Sequence, residues 1–555
     1  MSALGRFPPV ASAGVTSGEH GRTGPGSAGP VRPRTPHPVS LRDLVRSAHR
    51  AAVDVELASG DPDTVVTGAT SSSTATRPGD LFAALPGAHA HGADHAEQAL
   101  AGGAAVVLTD ARGAQLMGAQ LIGAGAPVLL AGDPRAAVGA LADEIYGRPS
   151  AAIGIAGVTG TSGKTTTTYL IRAGLASLGA ASGVIGTVGA FVGPEPIASS
   201  LTTPEAADLH ALLAVMRERG AGLVAMEVSS HALALSRVAG VRFAVAAFTN
   251  LSRDHLDFHP DMESYFAAKA RLFDGRAARE VICIDDEWGA RLARSCPAAA
   301  TVSTRPGAEA TWTASGATAA ANGSTRFTVT GPAGSFAAGC RIPGAYNVAN
   351  VLVALAVIDA LGGDASAAAA SVALAQVPGR MERIEAGQPF LAIVDYSHKP
   401  AALEGALRAL RPLTTGRLIV VLGCGGDRDR EKRQVMGAVA ARAGDVLIVT
   451  DDNPRSEAPE SIRAAMLAGA ASVPAPERAD VRESDRRRAA IHDALALAVP
   501  GDTVLIAGKG HETGQEVAGV VHPFDDRQVV RESLARLGFA ASVDSAGSTG
   551  AGAAR

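Results

Sequence analysis

The sequence predicts an α/β protein of three successive domains, and three observations carry that expectation. One is GVTGTSGKTTTTYLI, residues 157–171, a glycine-rich turn between a short apolar stretch at 153–156 and an alanine- and leucine-rich segment of helical composition. Another is a set of four apolar segments, 392–396, 417–422, 446–450 and 503–507, alternating with helical ones in the βαβ rhythm of a parallel sheet. The last is length, since 555 residues suffice for about three or four separate cores. The expected divisions are a disordered tail at 1–38, a small α/β domain at 39–149, a central domain at 150–375 that opens on the glycine turn, a further α/β domain at 376–541 and a short tail at 542–555.

Composition narrows the function classes. A formal net charge of -4 supplies no basic field for nucleic acid. No run of 18 apolar residues free of charges and helix breakers is present, so no membrane insertion is expected. Cys283, Cys296, Cys340 and Cys424 are spread singly, which suits a reducing compartment and forms no metal-ligand cluster. Residues 1–38 are rich in Gly, Pro, Ser and Arg without an apolar core, reading as a disordered tail and not a signal peptide.

In chain order, Ser40 is placed to cap a first helix, with Asp43 in its first turn and Leu41, Leu44, Val45 and Ala48 on one face. Residues 65–85 read as strand, polar loop and strand, turning at Arg77-Pro78-Gly79-Asp80; a helix over 95–101 and a buried strand over 105–109 follow. Past the glycine turn, a loop at 199–204 leads into a helix over 205–219 and a strand over 222–227 that ends in Glu227. A strand over 243–248 ends in TNLSRDHLDFH, and the helix around 262–273 carries Lys269. Alternation of Thr, Phe and Val through 311–338 predicts antiparallel strands at a sheet edge, and Asn347 begins a helix to about 361. In the last domain the strands are followed by DYSHKP, GCGGDRDREKR, DDNPRSE and GKGHE, at the ends where α/β domains place binding groups.

The glycine turn carries the most specific chemistry. Gly160, Thr161, Ser162, Gly163, Lys164, Thr165 and Thr166 would aim backbone N–H groups and a helix N-terminus at a phosphate, with Lys164 as a point charge and Thr165 as a hydroxyl for Mg²⁺. The usual motif has a glycine where this chain has Val158, and the lysine followed by four threonines favours ATP over a dinucleotide. Glu227, at a strand end, shares that crevice and with Thr165 suits one Mg²⁺ ion. DHLDFH, with Asp254, His255, Asp257 and His259, reads either as part of the crevice or as a solvated loop, and its histidines lack zinc spacing. Arg428, Arg430, Lys432, Arg433 and Arg455 suit carboxylate recognition, yet a charge run is as readily a wet surface, and the residues alone leave both readings open.

TGTSGKTTT at 159–167, TTPE at 202–205, MEVSSHAL at 226–233, NLSRDHLDFH at 250–259, YNVAN at 346–350, PGRME at 378–382 and DYSHKP at 395–400 together resemble the Mur ligase family, in the order of its motifs and over about 40–540. The resemblance implies a small N-terminal UDP-binding domain, a central P-loop ATPase-like domain and a C-terminal Rossmann-like domain, in a cytoplasmic enzyme of peptidoglycan precursor synthesis. It implies ATP and two Mg²⁺ ions. Lys164 would contact the phosphates, Thr165 and Glu227 would hold one ion, and His255 and Lys269 the other, Lys269 as a carbamate. Lys164, Glu227, His255 and Lys269 would carry catalysis, and Asn347, Arg380, Asp395 and His398 would complete the nucleotide site.

For the substrate UDP-MurNAc-L-Ala-D-Glu the matching positions are Ser73, Ala88, His89, Ala90, Thr202, Thr203, Ser229 and Arg237; the family's Asp-Ser-Arg is here Ser72-Ser73-Thr74. Asp452-Asn453-Pro454-Arg455 resembles the signature of members that add meso-diaminopimelate, Arg455 pairing with the distal carboxylate that lysine lacks, and Arg428, Gly508 and Glu512 match positions for the same substrate. Glu431 stands where a glycine is common. The implied reaction makes an acyl phosphate from the D-glutamate carboxylate and ATP, which the diaminopimelate amine then displaces. A member adding L-lysine is the alternative. The resemblance implies no nucleic-acid partner and a monomer with at most transient contact to other cell-wall synthesis proteins.

Overall fold

The computed structural model describes residues 31–539 apart from 88–89, 124, 200 and 321. Its architecture is three α/β domains, each organised around one sheet. In the first, Val55–Ser59, Val128–Ala131, Val106–Thr109, Asp80–Ala83 and Gly68–Thr70 lie side by side, the first pair antiparallel and the others parallel. The helix Leu41–Arg50 starts where Ser40 Oγ accepts from the Asp43 N–H at 3.2 Å, and buries Leu41, Leu44 and Ala48 against the sheet. Within the stretch expected as a tail at 1–38, residues 32, 34 and 35 have partners in the folded chain. Arg32 forms a part-buried pair with Asp80 at 3.1 Å, and the Arg34 and Thr35 N–H groups donate to Glu218 at 2.9 Å. Those partners come from far along the chain, which composition cannot register; residues 1–30 and 540–555 lie outside the described residues.

The central sheet has eleven strands among the described residues. Leu223–Glu227, Gly154–Thr159 and Phe243–Phe248 are its parallel middle, apolar up to Glu227 and Thr159 at their C-terminal ends because both faces are covered. At one edge Trp312–Ala319, Thr325–Gly331 and Gly334–Cys340 run antiparallel, as the alternation predicted: Phe327 and Val329 point into the core while Arg326 and Thr328 face water. The helix Tyr346–Ala360 is apolar nearly all round and is buried against Lys164–Ser177 and Ala365–Leu374.

The last sheet has the order Glu382–Arg383, Leu391–Asp395, Thr503–Ala507, Leu418–Leu422, Val446–Val449 and Asp480–Glu483, parallel except for its first strand. Arg487 and Asp526, both fully buried, pair through Nε–Oδ1 at 2.8 Å and Nη2–Oδ2 at 2.7 Å, and Nη2 also donates to Ala507 O at 2.9 Å. This pair fixes the end of strand Thr503–Ala507, from which GKGHE departs. A hairpin, Gly514–Val517 with Val520–Pro523, follows. Among the described residues no helix is long and apolar enough to cross a membrane.

Candidate active site

The glycine turn leaves strand Gly154–Thr159 beside the ends of its two neighbours, and it needs glycine for space as well as conformation. Gly160 has φ +151 and a Cβ there would fall on Thr249 Oγ1; Gly163 has φ +85 and its Cβ would fall on Asn350 Oδ1. The next strand's loop buttresses the turn. Thr161 N–H donates to Asn250 O at 2.9 Å and Ser162 N–H to Asn250 Oδ1 at 3.0 Å, while Thr249 Oγ1 and Asn250 Nδ2 donate to Ser162 O at 2.7 and 3.1 Å. Lys164 Nζ donates to Gly160 O at 2.8 Å and Thr161 O at 2.9 Å. Lys269 Nζ donates to the same Gly160 O, also at 2.8 Å.

Two amines therefore share one carbonyl, and neither forms an ion pair among the described residues. Burial pushes Lys164 below the usual lysine range. Lys269 is 1% exposed, and burial together with the Lys164 charge drives it well below that range. Glu227, also 1% exposed, has both oxygens held by one residue: Thr187 N–H donates to Oε1 at 2.8 Å and Thr187 Oγ1 to Oε2 at 3.1 Å. Thr165 is buried at the first turn of helix Lys164–Ser177. Asn347 Nδ2 donates to Pro343 O at 2.8 Å and its Oδ1 accepts from Asn350 at 2.8 Å, so Asn347 reaches Gly163 through Asn350.

DHLDFH is a wall of the crevice and not a free solvated loop. His255, at φ +54, stacks edge-on against His231 at 4.9 Å, and burial pushes it down to about 4. His259 is buried with Nε2 3.0 Å from Ser230 Oγ. Asp254 pairs with Lys399 at 2.8 Å, a bridge from the central domain to the last one. Burial alone would raise Asp254, but Lys399 and His255 outweigh it and hold the carboxyl below its usual range.

The last domain brings Arg380, Asp395 and His398 to this face. Arg380 lies over the Tyr396 ring at 4.4 Å, with the His398 ring 4.5 Å and the His511 ring 5.0 Å from Tyr396. The charges of Arg380 and Lys399 both reach Lys164 and contribute to lowering it. Asp395 is turned inward: it accepts from Met381 N–H at 2.7 Å and Ser397 N–H at 3.0 Å, so it braces the Pro378-Gly379-Arg380 turn.

The charge run after strand Leu418–Leu422 divides. Arg433 is buried and pairs with Glu457 at 2.8 and 3.0 Å, a structural contact that holds the Glu457 carboxyl down to about 2. Lys432 Nζ donates to His398 O at 3.0 Å, whereas Arg428 is exposed. Arg428 and Arg455 flank Gly425. Asn453 Nδ2 donates to Glu512 Oε2 at 2.8 Å, and the fully buried Lys509 donates to Asn453 Oδ1 at 2.9 Å and Glu512 Oε2 at 3.0 Å. Burial would raise Glu512, but Lys509 and Asn453 outweigh it. Gly508, at φ +115, lies where a Cβ would come 2.5 Å from Asp452 Oδ2. Gln515 Nε2 donates to Asp452 O at 2.7 Å.

Of the positions expected to hold the UDP substrate, Ala88 and His89 lie outside the described residues. Ser73 is half-buried and donates to Gln98 at 2.7 Å; Ala90 O accepts from Gly87 N–H at 3.0 Å. Thr203 Oγ1 donates to Glu227 O at 2.9 Å, Thr202 Oγ1 is 3.3 Å from Thr187 Oγ1, and Ser229 caps helix Ser230–Ala234 by accepting from Ala232 N–H. Arg237 pairs with Glu205 at 2.8 Å; Arg135, 3.9 Å from Glu205, donates to Pro86 O at 3.1 Å, which ties the first domain's loop to the crevice. Sequence reasoning missed Thr187, Asn250, Arg135, Lys509 and Glu516. Lys509 stood inside GKGHE and Asn250 inside a quoted motif, but Thr187 gave no signal.

Comparison with known proteins matches this arrangement along the chain. The Mur ligase family catalytic domain matches 65–146, the Mur ligase middle domain 158–358 and the Mur ligase glutamate ligase domain 379–510. A UDP-N-acetylmuramoyl-L-alanyl-D-glutamate--2,6-diaminopimelate ligase of Streptomyces coelicolor is 52% identical over 92% of this chain and 99% of its own length. One of Corynebacterium efficiens is 50% identical over 83% of this chain and 89% of its own. A solved structure of a ligase of that name is 32% identical, covers 90% of this chain and 100% of its own, and superposes with a TM-score of 0.65. With three successive domain matches and a half-identical relative spanning nearly all of it, the chain belongs to the Mur ligase family and is an ATP-dependent ligase.

Proposed function

We propose that this chain joins meso-2,6-diaminopimelate to UDP-MurNAc-L-Ala-D-Glu at the expense of ATP, in peptidoglycan precursor synthesis. The observation that carries the reading is the facing of two unlike sites: two unpaired amines against the glycine turn, and Arg428, Arg455, Asn453 and Glu512 on the domain bridged to it by Lys399 and Asp254. The relatives' names supply diaminopimelate as the amino acid. ATP use and four buried free thiols favour the cytoplasm, with the chain acting as a monomer.

Lys164 has only backbone carbonyls to satisfy it, so phosphate oxygens are better partners than those it holds, and helix Lys164–Ser177 adds its N-terminal N–H groups. The D-glutamate carboxylate attacks the γ-phosphorus, the bond to ADP breaks, and the acyl phosphate forms. The neutral amine of diaminopimelate adds to that carbonyl, phosphate leaves with the C–O bond, and the nitrogen gives up a proton as the amide forms. Arg380, Lys399 and Lys164 together supply positive charge where negative charge accumulates.

The donor set fits two Mg²⁺ ions. Thr165 and Glu227 would offer oxygen and His255 a ring nitrogen, and Lys269, held well below the usual lysine range by burial and the Lys164 charge, would serve as an anionic carbamate. When bound, the ions neutralise the phosphate oxygens. Among the described residues no three His, Cys, Asp or Glu side chains gather as a ready metal cluster, which is why the carbamate matters to this reading.

The test is phosphate release and product mass with UDP-MurNAc-L-Ala-D-Glu, ATP and Mg²⁺, comparing meso-diaminopimelate with L-lysine. The expected product carries diaminopimelate, with lysine at least about 100-fold poorer in kcat/KM. Equal use of both, or preference for lysine, overturns the choice of amino acid.

A further inference from the structure

Arg455, on which the choice of amino acid turns, is already engaged by its own chain. Nε lies 3.2 Å from Glu516 Oε2, and Nη1 donates to Gly426 O at 2.7 Å; Nη2 has no hydrogen-bond partner among the described residues. A guanidinium grips a carboxylate with two parallel N–H bonds along one of two edges, Nε with Nη2 or Nη1 with Nη2. Nε has a single N–H and Glu516 takes it, so the Nε–Nη2 edge is half occupied, whereas Nη1 has two N–H groups of which Gly426 O takes one. An incoming carboxylate that takes the Nε–Nη2 edge must displace Glu516.

The two occupants differ in how freely they leave. Gly426 is fixed, its N–H donating to Asn453 O at 2.9 Å and its α-carbon packed so that a Cβ would fall on Pro454 O. The Glu516 side chain is 38% exposed, on strand Gly514–Val517 of the hairpin. Its backbone is held independently of its carboxylate: Arg455 N–H donates to Glu516 O at 3.0 Å, Ala518 N–H to Arg455 O at 2.7 Å, and Glu516 N–H to Asn453 Oδ1 at 3.0 Å. The carboxylate can swing into water while the main chain keeps Arg455, at φ +54, in place.

We propose that Glu516 is an internal competitor for the distal carboxylate of the amino-acid substrate and thereby a specificity-determining residue. The proposal rests on the reading of Arg455 given above. A substrate with a distal carboxylate evicts Glu516 from Nε and takes the Nε–Nη2 edge. An amino acid without one leaves the Arg455–Glu516 pair standing and gains nothing from Arg455. Glu516 also repels an approaching carboxylate, so it raises the KM for the dicarboxylic substrate.

The experiment is steady-state kinetics of the full chain and of Glu516→Gln and Glu516→Ala, varying meso-diaminopimelate at saturating ATP and UDP-dipeptide. The KM for the UDP-dipeptide is followed as a control for general damage. The expected result is a KM for diaminopimelate lowered about two- to fivefold in both variants, the scale of one partly exposed ion pair, with the change in KM and not in kcat. An unchanged or raised KM overturns the proposal, the latter making Glu516 a support for Arg455 instead. Failure of the unaltered chain to use diaminopimelate at all would instead overturn the functional reading, so the two failures are distinguishable.

Discussion

The glycine-turn site and the amino-acid site handle charge in opposite ways. Around Gly160 the cations are unpaired, Lys269 buried and Lys164 half-buried: both rest on one carbonyl and are pushed below their usual range by loss of solvent. Around Asn453 nearly every charge has an internal partner, Arg455 with Glu516, Lys509 with Glu512 and Arg433 with Glu457. A site of the first kind gains a full charge interaction when a polyanion arrives, because no existing pair is broken. One of the second kind exchanges one ion pair for another, so binding is weaker and selectivity comes from which exchanges the ligand can complete.

The strongest way to break this contrast is to remove the unpaired charge. Lys164→Ala is expected to lower kcat/KM by about 10³-fold or more, roughly 4 kcal/mol of transition-state stabilisation, measured as phosphate release. Its thermal unfolding should shift little, since Lys164 bonds only to the loop's own carbonyls. A large loss of Tm would mean that the lysine holds the turn together, and the contrast would fail. Arg455→Ala tests the other site. The KM for meso-diaminopimelate is expected to rise about 10- to 100-fold, near 1.4–2.7 kcal/mol, with discrimination against lysine falling by the same factor. A loss confined to kcat, equal for both amino acids, would remove Arg455 from selection.

Legibility in the sequence followed the range of the contacts involved. Strands Phe243–Phe248 and Thr503–Ala507 have the bounds their apolar runs predict, because a strand buried on both faces announces itself locally. The antiparallel edge was readable for a related reason, its alternation of Phe327 and Val329 with Arg326 and Thr328. Thr187 was not readable: it lies in a turn after strand Ser182–Gly186 and meets Glu227 forty residues on only because the two strands are neighbours. Arg433 and Arg428 look alike in GCGGDRDREKR, yet one is buried on Glu457 and the other exposed, a difference made by helix geometry and a partner from the next loop. Asp395, expected at the nucleotide, braces the Arg380 turn because the Met381 N–H reaches it across fourteen residues. The motifs therefore locate both sites and contain most of the paired residues, but not which pairs with which, and Glu516 lies outside every one of them.

The smallest expected effect concerns the join between the two sites. His511, beside the Tyr396 ring, is pushed down to about 4, first by burial and then by the Arg380 charge, with a backbone contact to Thr187 working the other way. Thr187 is also the residue that holds Glu227, so the imidazole links the last domain to the carboxylate of the glycine-turn site. A folded pKa below the ordinary value of about 6.5 means that the folded chain resists a proton the unfolded chain accepts. The stability contributed by keeping His511 neutral is thus complete above pH 6.5, declines as the pH falls towards 4, and is gone below the folded pKa. At pH 5.5 the loss is about 1.4 kcal/mol. Other histidines of the chain titrate in the same window, so the informative quantity is a difference: denaturant unfolding of the chain and of His511→Gln, each between pH 7.5 and 5. The stability gap between them should change by about 1.4 kcal/mol between pH 7.5 and 5.5, with the variant the less sensitive to acid. A gap that stays constant would mean that His511 takes up its proton without strain, and that the two sites meet through Lys399 and Asp254 with no titrating group between them.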